Sequence, residues 1–278
     1  MSKLGKRLLT FFIGLPAVLL IVFYDYLYHL PLQIVLGIFA TLGANELYNM
    51  LSKRYKIFPK EIVLISVALL PFVAYLFELA DISLDITPWF FICEVIIMLS
   101  LECFISKEFE KSFEKIAFSI LIIFYCGFLI TFLSRMAILP NSKYIIILFL
   151  IFVFMCDSCA WFFGMLFGKN NRGVIAASPN KSVIGFIGGI VGSIAFGLLF
   201  KYLFEDKIPC SYYRIAILGL LTSVASIVGD LIESVFKRSC DEKDSGILIP
   251  GRGGILDSID SVLIAAPVFY IAQHFLFN

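Results

Sequence analysis

The sequence predicts an all-α integral membrane protein, and three observations carry that prediction. Of the 278 residues, 60% are hydrophobic and only 15% charged, whereas a soluble domain carries about a quarter charged residues, so polar surface is too scarce to cover a soluble globule. The mean hydropathy is +0.97. The apolar residues also fall in runs of about 18 or more, the length at which a helix crosses a bilayer. Helices are the expected form because backbone amides in hydrocarbon must be satisfied within the segment.

Polar breaks divide the chain into nine such runs. The first, about 8 to 28, follows Lys3, Lys6 and Arg7, and with no small-residue cleavage site after it reads as a retained anchor rather than a signal peptide. The second and third, about 30 to 50 and 62 to 79, flank the basic turn Lys53, Arg54, Lys56 and Lys60. The fourth and fifth, about 88 to 105 and 116 to 134, are joined through Lys107, Lys111 and Lys115. The sixth and seventh, about 144 to 166 and 183 to 203, bracket Lys169, Arg172 and Lys181. The eighth, about 212 to 233, leads into the longest polar interval of the chain, and the ninth, about 260 to 277, follows it. With the N-terminus cytoplasmic, only Arg135, Lys143, Lys201, Lys207 and Arg214 of the 22 basic residues lie outside, which satisfies the positive-inside rule. An odd number of spans then places the C-terminus outside.

No linker or low-complexity tract marks a second soluble domain, so residues 1–278 read as one polytopic membrane domain. Its N-terminal spans occupy about 1–140 and its motif-bearing half about 141–278. The seven cysteines show no paired extracellular framework, and Cys156 and Cys159, although a C-x-x-C, lack the surrounding βαβ pattern of a redox motif. A net charge of +1 and the absence of a basic patch with interleaved aromatics give no sign of nucleic acid. His29 and His274 are the only histidines, which argues against a zinc-type site.

The stretch Ser234–Ser261 is the most informative, because it sets Lys237, Arg238, Lys243 and Arg252 against Asp241, Glu242, Asp244, Asp257 and Asp260 beside a membrane span. An ordinary helix connection needs only polar turn residues; this mixture suggests phosphate and metal chemistry. Asp230, Ser234, Lys237 and Arg238 share one helix face descending toward the cytoplasm, a face able to hold a metal and phosphates together. The plainer reading of that face is a snorkelling basic helix end beside an unrelated acid. Asp244, Asp257 and Asp260 add the hard oxygen donors that Mg²⁺ takes. Gly251, Gly253 and Gly254 permit the positive dihedrals of a phosphate-binding nest, or form a plain turn.

A second region runs from Asp157 through Gly164, Gly168 and Lys169 to Ser178, Pro179, Asn180, Lys181 and Ser182, ending at Gly185, Gly188 and Gly189. Asp157, Gly164 and Gly168 fall near one helix face, where small residues permit close helix approach. A carboxylate inside a span costs roughly 2.5–3.5 kcal/mol on insertion scales and normally has a partner. Ser182 is placed to cap the seventh helix, whose N-terminus, with Lys181, favours anions.

These residues resemble the phosphatidate cytidylyltransferases, or CDP-diacylglycerol synthases. The family's signature is met at Ser234, Lys237, Arg238, Lys243, Asp244, Gly246, Gly253, Gly254, Asp257 and Asp260. Arg252 stands where the family has histidine, and Ser258 where it has arginine. The middle motif also matches, except that Val183-Ile184 replaces a Trp-Glu pair before Gly185. The resemblance implies transfer of a cytidylyl group from CTP to phosphatidic acid, giving CDP-diacylglycerol and pyrophosphate. It implies catalytic roles for Asp230, Lys237, Arg238, Lys243, Asp244 and Asp257. Substrate binding falls to Ser178, Asn180, Lys181, Ser182, Arg252, Gly253, Gly254 and Asp260. Mg²⁺ is implied on Asp230 and Asp257 with Asp244 next, leaving room for a second metal ion, and the setting is the inner (cytoplasmic) membrane with both motif loops facing the cytoplasm. Partners are then CTP, phosphatidic acid and membrane lipid, with a homodimer admitted. Arg252 is expected to supply the cationic function lost at Ser258. Two alternatives stay open: a transporter or lipid-binding protein with a degenerate site, whose path would run along Glu46, Glu94, Glu102 and Asp157, and a CTP-dependent polyprenol kinase.

Overall fold

The computed structural model describes residues 14, 16–80, 82, 86–249, 251 and 253–277. Among them the fold is helical, and extended pairing is limited to two isolated bridges, Arg172 with Ser182 and Ile249 with Gly253. The helices are α1 (Tyr26–Leu51), α2 (Lys60–Leu79), α3 (Thr87–Ile105), α4 (Ser112–Ile122), α5 (Thr131–Ala137), α6 (Ser142–Phe167), α7 (Val183–Leu203), α8 (Tyr212–Ser239) and α9 (Leu256–Phe277). A π-helical turn, Ile123–Phe128, joins α4 to α5, so that Ser112–Ala137 crosses as one apolar stretch.

Counting that stretch once, eight helices among the described residues are long and apolar enough to cross a membrane. They fall on the second to ninth expected runs. Of the first run, residues 16–23 are helical, while residues 8–13 and 15, like Lys3, Lys6 and Arg7, lie outside the described residues. The regular part of α1 begins after Leu27, Tyr28 and His29, whose φ angles of 46°, 52° and 58° are left-handed, in keeping with the expected start near residue 30. Many apolar side chains point away from the protein interior, Phe104 (88% exposed) and Ile96 (55%) among them. Spanning helices present such faces to lipid.

The chain forms two compact units. The first comprises Met1–Ile138 with Ser239–Ile259, and the second Leu139–Arg238 with Asp260–Asn278. In the first, α1 and α2 form a hairpin whose turn is tied by the Tyr48 hydroxyl donating to the Phe58 carbonyl (3.0 Å) and by Lys60 Nζ donating to Asn49 Oδ1 (2.8 Å). Ala40, Ala44 and Leu47 of α1, Val63, Val67 and Leu70 of α2, and Ile122, Ile123 and Cys126 are buried in this unit. At Gly127 an added Cβ would stand 3.1 Å from the Val67 Cα, so the missing side chain lets the π-helical turn approach α2 closely.

In the second unit α6 and α7 pack along a seam of small residues. A Cβ at Gly185 would meet the Ala160 carbonyl at 2.9 Å, one at Gly188 the Phe163 side chain at 2.6 Å, and one at Gly189 the Cys156 carbonyl at 2.8 Å. Backbones approach this closely in membranes because van der Waals packing, not water exclusion, drives helix association there. Gly164 also meets Ser182, so close helix approach accounts for it. Cys156 is buried, its thiol directed at the Ser223 carbonyl (3.7 Å), and Cys159 faces Gly192. All seven cysteines are free thiols.

Candidate active site

Each unit carries one cluster of the charged residues singled out from the sequence. In the second unit, α8 ends in two basic residues, and its inner face brings Asp230 and Glu233 within electrostatic reach of Asp260 on α9, as Asp157 on α6 also is. The close passage of α8 and α9 depends on Gly229, where a Cβ would lie 2.6 Å from the Asp260 carbonyl and 3.0 Å from the Ser261 Cα. Four carboxylates near one another in low dielectric repel, and cations offset that repulsion. Lys181 pairs with Asp230, and Lys237 pairs with Glu233 one turn away on α8. Asp260 is 7% exposed, and its Oδ1 accepts from the Ser261 amide at 2.6 Å.

The middle-motif loop holds Lys181 in place. The Ser182 hydroxyl accepts from the Gly185 amide (3.1 Å) and so caps α7; it is buried, and its oxygen is committed to the helix. Ser178 lies in the turn before it, its carbonyl accepting from the Lys181 amide (3.1 Å). Asn180 is exposed. Arg238 Nε donates to the Ala177 carbonyl (3.4 Å), which draws the end of α8 toward the same loop.

The first unit holds the signature loop. Its acidic positions Asp241 and Glu242 pair with Arg54 and Lys53, and the Arg54 guanidinium also donates to the Ser239 carbonyl (2.8 Å). The turn between α1 and α2 therefore shares one end of this unit with the start of the loop. Lys243, Asp244, Ser245 and Gly246 line a small cavity of about 370 Å³ together with Asn49, Met50, Lys53 and Ile247. Asp257 acts within the loop: its Oδ2 accepts from the Gly254 amide (2.7 Å), the Ser245 amide (2.9 Å) and the Ser245 hydroxyl (2.9 Å).

Gly251 and Gly253 adopt φ of 85° and 113°, the left-handed dihedrals expected of a nest. The amides behind that expectation are nevertheless engaged, Gly253 with the Ile249 carbonyl (3.1 Å) and Gly254 with Asp257. Ser258 donates to the Gly254 carbonyl (3.3 Å). Arg252 lies outside the described residues.

The donor chemistry fits Mg²⁺: every candidate is a carboxylate, and this ion commonly uses only one or two carboxylates with waters and substrate phosphates completing its shell. Among the described residues no three His, Cys, Asp or Glu side chains are grouped so as to hold a metal ion. Two of the acids expected along a transporter's path have partners in the first unit. Glu46 is bonded to the signature loop, and Glu102 bonds Lys115 and the Ser112 hydroxyl, both at 2.5 Å.

Glu46, Glu233 and Ser245 are the participants that sequence reasoning left without a role at the site. The signal available for Glu46 was its charge inside a span; for Glu233 it was the i, i+4 spacing to Lys237. Ser245, a small polar residue in a polar loop, gave none.

The model of the cytidylyltransferase family matches residues 5–276. The sequence is 30% identical to the phosphatidate cytidylyltransferase of Bacillus subtilis (strain 168) over 273 residues, 97% of this chain and 97% of that protein. It is 38% identical over 156 residues to the protein of the same name from Haemophilus influenzae, covering 55% of this chain and 54% of the relative. With that of Thermotoga maritima it shares 34% identity over 169 residues, or 59% and 62% of the two chains.

Proposed function

Since the chain belongs to the cytidylyltransferase family, we propose that it transfers the cytidylyl group of CTP to phosphatidic acid, releasing pyrophosphate and forming CDP-diacylglycerol for phospholipid synthesis. The observation that carries this reading is the similarity to a phosphatidate cytidylyltransferase along 97% of both chains. A phosphate oxygen of the lipid attacks the α-phosphorus of CTP; that P–O bond forms as the bond to the bridging oxygen breaks, and pyrophosphate leaves with the electron pair. The attacking group is already an oxyanion, so no protein nucleophile is required, and rate enhancement comes from positioning and charge neutralisation.

Lys181, Lys237, Arg238 and Lys243 are the cations assigned to that neutralisation. Lys181 and Lys237 are held by Asp230 and Glu233, and incoming phosphates compete with those carboxylates for the ammonium groups. Ser178 and Asn180 precede Lys181 in the turn assigned to substrate binding, and Asp260 sits among the acids that orient the cations. Magnesium, when bound, adds divalent charge at the reacting phosphates; Asp230, Asp257 and Asp244 are assigned to hold it. We place the protein in the inner membrane of a bacterium with both motif loops toward the cytoplasm, where CTP is found. The basic turn Lys53–Lys60, tied to the signature loop through Arg54 and Lys53, supports that side under the positive-inside rule.

The test is formation of CDP-diacylglycerol from CTP and phosphatidic acid by purified protein, beside Asp230→Asn. Wild-type protein is expected to give magnesium-dependent product and the variant a rate lower by about 1,000-fold. Equal rates from the two proteins would remove Asp230 from the chemistry.

A further inference from the structure

Glu46 lies in α1 and is 5% exposed, yet its carboxylate bonds the signature loop about 200 residues away in sequence. Its Oε1 accepts from the Ile255 amide (3.0 Å), and its Oε2 from the Leu256 amide (2.9 Å) and the Ser245 hydroxyl (3.0 Å). Ile255 and Leu256 open α9, where the first amides have no intrahelical partner and the helix dipole favours a negative charge. A carboxylate from another helix therefore caps α9.

The surrounding residues are shaped to this contact. A Cβ at Gly246 or at Gly254 would run into the Glu46 carboxylate, so glycine at both positions leaves room for it. Ser245 relays the contact onward, since its Oγ lies 3.0 Å from Glu46 Oε2 and 2.9 Å from Asp257 Oδ2. A hydroxyl has one proton to donate, so the two carboxylates share it.

We infer that Glu46 is a positioning residue for the signature loop: through the Ile255 and Leu256 amides and through Ser245 it sets the place of Asp257 and of the loop residues that line the small cavity, Lys243 to Gly246. The inference rests on the cytidylyltransferase reading for its effect on turnover, while the contact itself stands on geometry. Glutamine keeps the size of the side chain but replaces one acceptor oxygen by an N–H donor facing donors.

The test is Glu46→Gln in the full-length protein, read both by kinetics and by amide hydrogen exchange. The expected result is a kcat lower by about 100-fold with KM for CTP within about twofold, since misplacement near 1 Å acts on the reaction step. Exchange at residues 245–256 should accelerate by about tenfold or more while α6 and α7 stay protected. Wild-type kcat together with wild-type exchange would overturn the inference, as would a uniform loss of protection, which marks a fold defect instead. If Glu46→Gln yields no folded protein, Ser245→Ala carries the test, with kcat expected to fall about fivefold and unchanged kcat and exchange overturning the relay. A wild-type protein that makes no CDP-diacylglycerol would count against the functional reading alone, since the exchange result is independent of it.

Discussion

A carboxylate within a membrane span normally has a partner, and the partners here show what each acid does. Glu102 is held by Lys115 and Ser112, Asp230 by Lys181, and Glu46 by the amides that open α9. The buried oxygens of Glu94 find no hydrogen-bond partner among the described residues, and its role has no account in this structure. Relative to the family, the chain loses an arginine at Ser258 and gains one at Arg252, so the two changes should compensate. Arg252→His alone is expected to lower kcat/KM by about tenfold, and the pair Arg252→His with Ser258→Arg to restore most of it. Additive effects in the double variant would show that the two positions act independently.

At the scale of the element, the α6–α7 seam is read directly from glycine positions. Gly189→Leu should force the two helices apart, costing about 1–3 kcal/mol and lowering the unfolding midpoint in detergent by about 3–10 °C. Ile187→Leu, on the lipid-facing side at 57% exposure, should leave the midpoint unchanged. The spans themselves were legible because a long apolar run has few alternatives to a membrane helix, and eight of the expected runs coincide with helices. Their ends were less legible. α9 starts at Leu256, ahead of its apolar run, where the Glu46 carboxylate takes the amides that open it; α8 runs on to Ser239, as the helix face carrying Lys237 and Arg238 predicts, with the Glu233–Lys237 pair in its last turns. Composition senses hydrocarbon, whereas a helix ends where its hydrogen bonds end.

For the whole molecule, the family was legible from the signature and middle motif, because charged and glycine-rich residues stand out in an apolar chain. The organisation of the signature loop was not. Its anchor, Glu46, comes from a helix more than half the chain away, and no local spacing encodes a contact at that separation. The Ser182 hydroxyl caps α7, as its place before that helix predicts, whereas the engagement of the Gly254 amide by Asp257 has no signal in the local sequence. The basic and acidic positions were thus identifiable one by one, while their pairing needed the fold.

Transfer of a cytidylyl group is distinguished from transfer of a terminal phosphate by following the label from CTP marked on its α-phosphorus and, in parallel, on its γ-phosphorus, with phosphatidic acid and the purified protein. For a cytidylyltransferase the α label is expected to enter the lipid and the γ label to leave as pyrophosphate. Appearance of the γ label in a lipid product, as a CTP-dependent kinase would give, or retention of both labels in CTP by well-folded protein, would contradict it.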